Sequence, residues 1–91
     1  MFPKFRGLTL IPSRSASNEL IELRLTLEHA LDILNEGYDC FRSKRKKNIV
    51  EKCVDRKRKT IKAVAAKAYD SSLDEEVWVL THVGKHSIKK R

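Results

Sequence analysis

The chain is poor in the residues that build several common kinds of site. It has three glycines, two prolines, two cysteines, one tryptophan and 7% aromatics among 91 residues. Gly7, Gly37 and Gly84 stand far apart, so no glycine-rich phosphate cradle is present. Cys40 and Cys53 form no CxxC pair, and no Cys/His set reaches four ligands in zinc spacing. No metal centre and no cofactor are therefore expected. No apolar run exceeds the four residues seen at Val77–Leu80, whereas a membrane-spanning helix needs about 20. The opening Met1–Arg6 has no apolar stretch behind it, so an export signal is not expected. A cytoplasmic protein with two reduced thiols follows as the expectation.

What the chain has in quantity is positive charge. Lysine and arginine total 20 against 12 acidic residues, a net charge of +8. The charge is segregated. Residues 1–41 balance at −2, residues 42–69 at +10, residues 70–76 at −4 and residues 77–91 at +4. Dense basic blocks point to a polyanionic partner, with the plain alternative of solvated turns. The candidate nucleic-acid contacts are Arg42, Lys44, Arg45, Lys46, Lys47, Arg56, Lys57, Arg58 and Lys59. Tyr69 joins them as a base-stacking candidate. Trp78 reads as core, being the largest side chain in a small protein.

The length fits one domain over residues 1–91, with an extended lead-in over 1–12 and a basic tail over 85–91. Leu8–Ile11 suggests a short strand closed by Pro12. Residues 13–37 carry Leu20, Leu23, Leu27, Leu31 and Leu34 at helical spacing. Ser13 or Ser15 is the expected N-cap. A break at Leu25–Leu27, with Thr26 capping a second helix over 27–36 and Gly37 stopping it, is preferred to one long helix. Residues 38–48 read as a connector and 49–54 as a β-branched strand. Residues 55–59 have hairpin length. For 60–69, four alanines favour helix while alternation allows a two-sided strand. Val77–Val83 alternates with Val77, Val79, Thr81 and Val83 on one face and Trp78, Leu80 and His82 on the other. The expected fold class is α+β, with two N-terminal helices packed on a three- to four-stranded antiparallel sheet.

This order resembles the small ribonuclease toxins of the RelE and BrnT type. It is most similar to a sibling group whose opening reads HAxxRxxxRGIT before an acidic helix and a strand hairpin. Ser15-Ala16 falls on the HA pair, and Leu25-Thr26-Leu27-Glu28 on the step between helices. Ile49–Val54, Ile61–Tyr69 and Val77–Val83 fall on the strands. The motif departs at its functional positions: its histidine is Ser15 here, and its two arginines are Glu19 and Leu23. The resemblance implies metal-free mRNA cleavage, RNA in preference to DNA as partner, and an acidic antitoxin-like protein partner.

Metal-free RNA cleavage needs a base for the 2′-hydroxyl, an acid for the leaving oxygen, and cations near the phosphate. The candidates are His82, His86, Lys52 and Lys62. Histidine suits both proton roles at neutral pH. The plainer reading, which is preferred for both, makes His82 a partly buried strand residue beside Trp78 and Leu80, and His86 a solvated tail residue. His29, among helix residues, reads as surface. Two further functions stay open: a non-catalytic small nucleic-acid-binding protein, and a basic protein–protein interaction module.

Overall fold

The computed structural model describes residues 2–40 and 47–87. The chain opens with a tight hairpin, β1 (Lys4–Phe5) and β2 (Leu8–Pro12). Its two-residue turn holds Arg6 and Gly7 at φ 52° and 83°, the left-handed backbone that such turns require. Leu10 and Phe5 are buried at 0% and 1% exposure.

Ser13 caps helix α1 (Arg14–Leu23), its hydroxyl accepting the Ala16 N–H at 3.0 Å. The helix stops where Arg24 turns left-handed at φ 59°. Thr26 then caps helix α2 (Leu27–Glu36) as the sequence suggests. The cap is reciprocal. The Thr26 hydroxyl accepts the His29 N–H at 3.1 Å, and His29 Nδ1 accepts the Thr26 N–H at 3.0 Å. His29 does in this capping box what glutamate usually does. Of the leucine stripe, Leu20 and Leu34 are buried, while Leu23, Leu27 and Leu31 pack on the core from its margin.

Gly37 ends α2 in ordinary extended backbone at φ −73°. The glycine answers a close approach. A Cβ there would lie 2.6 Å from the Ile33 carbonyl oxygen and 2.7 Å from that of Cys53. After it come β3 (Tyr38–Asp39), β4 (Ile49–Arg56), β5 (Lys59–Asp70) and β6 (Glu75–Ser87).

The sheet corrects the expected architecture. Among the described residues it has six strands in the order β1-β2-β6-β5-β4-β3, and it is mixed, because β2 runs parallel to β6. A three- to four-stranded antiparallel sheet is overturned, although the α+β class remains loosely compatible. Two causes are visible. The lead-in supplies a hairpin and not one short strand. The connector supplies β3, which pairs with Cys53 and Lys52 of β4. Residues 60–69 are strand in spite of their alanines. Ile61, Ala63 and Ala65 are buried at 6%, 0% and 0%, and their small side chains let Ala16, Leu20, Ala30, Ile33 and Leu34 of the helices into the same cluster. Packing overrides helix propensity here. Of the expected tail, Lys85–Ser87 belong to β6, and residues 88–91 lie outside the described residues.

The expectation of reduced thiols is also overturned. Cys40 and Cys53 are joined by a disulfide with their Cα atoms 5.3 Å apart. The β3–β4 ladder places Tyr38 opposite Cys53, which brings Cys40 alongside. Spacing of 13 in sequence carried no signal for that pairing.

Candidate functional site

One irregularity decides which side chains meet. Val64 of β5 pairs with His82, but Ala65 pairs with Leu80, so Thr81 is an extra residue in β6. A bulge of this kind shifts the inward–outward alternation by one. Before it, Trp78 and Leu80 face the helices; after it, Val83 does, and all three lie in the core. The face shared by Trp78, Leu80 and His82 in the simple alternation is therefore broken. His82 turns to the helix-free face, followed there by Gly84 and His86.

Register places three cross-strand rows on that face: Glu51–Val64–His82, Cys53–Lys62–Gly84 and Asp55–Thr60–His86. Lys62 lies between the two histidine rows, directly across from Gly84, with its ammonium 3.1 Å from the Glu51 carboxylate. Lys52 is opposite Ala63, a core residue, and so projects from the other face. It is bound to Asp39 at 2.7 Å. The four catalytic candidates thus divide. His82, His86 and Lys62 share a face, and Lys52 does not.

His82 has a partner that the sequence gives no hint of, 63 residues away. Its Nδ1 lies 3.0 Å and 3.2 Å from the two carboxylate oxygens of Glu19 in α1. Glu19 is itself fixed, because it accepts the Val83 N–H at 2.9 Å. The reason is topological. β2 ends at Pro12, opposite Leu80, so among the described residues the β6 edge beyond it has no strand beside it. Ser13 N–H covers the Leu80 carbonyl, and Glu19 covers the Val83 N–H. A carboxylate on Nδ1 holds the ring with its proton there and leaves Nε2 as the basic nitrogen. The His82 side chain remains 43% exposed.

In the His86 row, on the other side of Thr60, the carboxylate of Asp55 accepts hydrogen bonds from the Tyr38 hydroxyl at 2.7 Å and the Thr60 hydroxyl at 2.9 Å. The Tyr38 bond, then the Thr60 bond, holds the Asp55 carboxyl below its ordinary value. The same bond to Asp55 raises the Tyr38 hydroxyl above its own.

The two ends of the sheet carry opposite charge. At one end Arg56 pairs with Lys59, and Lys59 with Ser87, so the β4–β5 turn adjoins the His86 row. Its two central residues, Lys57 and Arg58, sit at φ 46° and 66°. That geometry ordinarily selects Asn-Gly, and two long L side chains carry strain there. At the other end, Asp70 accepts the Ser72 and Leu73 N–H groups at 2.9 Å and 3.2 Å. Tyr69, 61% exposed, donates its hydroxyl to Asp74. Tyr69 therefore stands among acids, away from the basic turn. Trp78 is core at 3% exposure, edge-on to Phe5 and flanked by the Arg6 and Lys67 cations at 5.9 Å and 5.5 Å from its ring centre. Lys47 is exposed just before β4, while Arg42, Lys44, Arg45 and Lys46 lie outside the described residues. Among the described residues the basic side chains consequently do not form one face: Lys62 is on one side of β5, Lys67 on the other, and four more are at the turn.

Among the described residues, no group of three or more His, Cys, Asp or Glu side chains is arranged to hold a metal ion, and no helix is long and apolar enough to cross a membrane. Comparison with protein families, curated proteins and solved structures gives no match. The site must be read from its own chemistry.

Proposed function

We propose that this protein binds single-stranded RNA on the helix-free face of β5 and β6 and cleaves it without a metal, as a toxin-like endoribonuclease. The observation that carries the reading is the meeting of His82, His86 and Lys62 on one face, with Glu19 fixed on His82 Nδ1. In this reaction His82 Nε2 takes the proton of a ribose 2′-hydroxyl. The 2′-oxygen bonds to the adjacent phosphorus, and the bond from phosphorus to the 5′-oxygen breaks. His86 protonates that oxygen, leaving a 2′,3′-cyclic phosphate and a 5′-hydroxyl. Glu19 stabilises the imidazolium that forms on His82, and Lys62 offsets charge on the phosphate. Lys57 and Arg58, with Arg56 and Lys59 beside them, bind phosphates of the flanking strand. Lys52, paired with Asp39 on the far face, has no part in the step.

The test is cleavage of single-stranded RNA by the full oxidised chain. RNA is cut and its 2′-deoxy analogue is not, and His82→Ala or His86→Ala slows cutting by roughly 10²–10⁴-fold. Cutting that survives both substitutions refutes the assignment. Salt-sensitive RNA binding with no cutting replaces it with a non-catalytic binder. Growth arrest on expression, relieved by a coexpressed acidic protein, extends the reading to a toxin–antitoxin pair. Retention of such a protein and of no nucleic acid replaces both with a protein–protein module.

A further inference from the structure

His82 and His86 are four residues apart in a strand, a backbone separation of roughly 13 Å. Both rings nevertheless come within contact distance of one point between them. A Cβ built at Gly84 falls 2.9 Å from His82 Nε2, 3.4 Å from His82 Cε1 and 3.8 Å from His86 Cε1. Gly84 is not required by its backbone, since among the described glycines only Gly7 has positive φ. What it supplies is space. Any side chain at this position would fill the cradle into which both imidazoles lean.

We infer that this cradle binds a divalent transition cation, held by His82 Nε2 and one ring nitrogen of His86. Imidazole nitrogens select zinc, nickel and copper(II) over the hard alkaline-earth ions. Glu19 on His82 Nδ1 is the second element of the site. Metal-bound imidazoles generally donate their other N–H to a carboxylate, which fixes the tautomer and the orientation of the ring. Glu19 does this from an anchored position, because the Val83 N–H holds it in turn. No third acidic, thiolate or imidazole group joins the pair among the described residues. Water completes the coordination, and the ion is exchangeable. Lys62, across the strand from Gly84, keeps its ammonium on Glu51 and out of the ligand set. An ion seated there occupies both proton-transfer groups at once. Inhibition of cleavage by the cation rests on the ribonuclease reading; binding of the cation does not.

The experiment is a calorimetric titration of the oxidised full chain with Zn²⁺ alone, repeated with Cu²⁺ followed by its visible absorption. One ion binds per chain. His82→Ala and His86→Ala each remove the saturable phase, and His29→Ala leaves it intact. Glu19→Gln weakens binding by roughly 10–100-fold. Gly84→Ala, which puts a methyl group into the cradle, weakens it at least as much while thermal melting shows the fold retained. Binding that is indifferent to both histidine substitutions, or no saturable binding to the wild type at millimolar ion, overturns the site. Cleavage measured on the same samples separates the two readings. If the wild type cuts RNA, Zn²⁺ inhibits it with a midpoint equal to the calorimetric Kd. If the wild type cuts nothing, the ribonuclease reading fails and the titration alone still decides the metal site.

Discussion

Breaking the Cys40–Cys53 bond is the perturbation whose size follows most directly from the structure. The bond spans a sequence separation of 13 and closes a loop that contains the run Arg42–Lys47. Closing a loop of that size removes about 3 kcal/mol of chain entropy from the unfolded state at 25 °C. For a domain of this length each kcal/mol moves the melting temperature by about 4–8 °C. Reduction is thus expected to lower it by roughly 12–24 °C. The assay is a circular-dichroism melt of the wild type with and without a phosphine reductant, beside a Cys40→Ala, Cys53→Ala double variant. The variant melts low and is insensitive to reductant. Cys53 is 5% exposed, so its truncation adds a packing cost that plain reduction does not. The reduced wild type therefore falls between the oxidised protein and the variant. A thiol titration of the purified native protein is done first. Two free thiols, or coincident melts with and without reductant, refute the reasoning. The titration also bears on location, because a stable disulfide is at odds with the reducing compartment on which the expectation of free thiols rested.

Replacing Lys57-Arg58 by Asn-Gly relieves two left-handed backbone positions and is expected to raise stability by about 1–2 kcal/mol; an unchanged urea midpoint would argue against strain at the turn. If both side chains contact phosphates, the same change lowers the slope of log K against log salt for single-stranded RNA by about 1.4. Leu80→Ala, at a position with 0% exposure, costs about 2–5 kcal/mol, and Thr26→Ala costs about 1 kcal/mol through loss of the α2 cap, both read by denaturant melts. The Tyr38–Asp55 bond gives a two-sided pH signature. Asp55 is held low, so its contribution is present above the ordinary carboxyl range and is lost as pH falls through its folded value. Tyr38 is held high, so its contribution is present below the ordinary phenol value and is lost as pH rises through its folded one. The difference in melting temperature between wild type and Tyr38→Phe is expected to be flat from about pH 5 to 9 and to shrink on both sides. A difference that does not change with pH would remove this bond from the account.

Local signals in the sequence were readable where local physics decides. Ser13 and Thr26 cap the helices they precede, and the leucine spacing marks the faces that meet the sheet. Residues 60–69 were ambiguous because propensity and alternation disagree there, and the choice is made by Ala63 and Ala65 lying under the helices. The parallel pairing of β2 with β6 and the Cys40–Cys53 bond are long-range facts with no local signature. Nor does sequence spacing indicate that Lys52 and Lys62 point to opposite faces. That follows from register, in which Lys52 meets Ala63 and Lys62 meets Cys53.

The candidate site shows why even a correct strand assignment leaves function unread. Strict alternation over Val77–Val83 puts His82 with Trp78 and Leu80, where it would be a core histidine in need of a buried partner. One inserted residue, Thr81, reverses this. Val83 takes the core position that alternation denied it, and His82, Gly84 and His86 emerge together on the open face. The same bulge lies where β2 runs out, so the β6 edge is uncovered at Val83 and a carboxylate from α1 can reach both that N–H and the His82 ring. As a phosphate-binding residue Glu19 would be a defect, since its negative charge repels the anion. As the group that orients His82, its charge is what the site needs. On the proposed reading the strand bulge exposes the chemistry and the Glu19–His82 pair orients it.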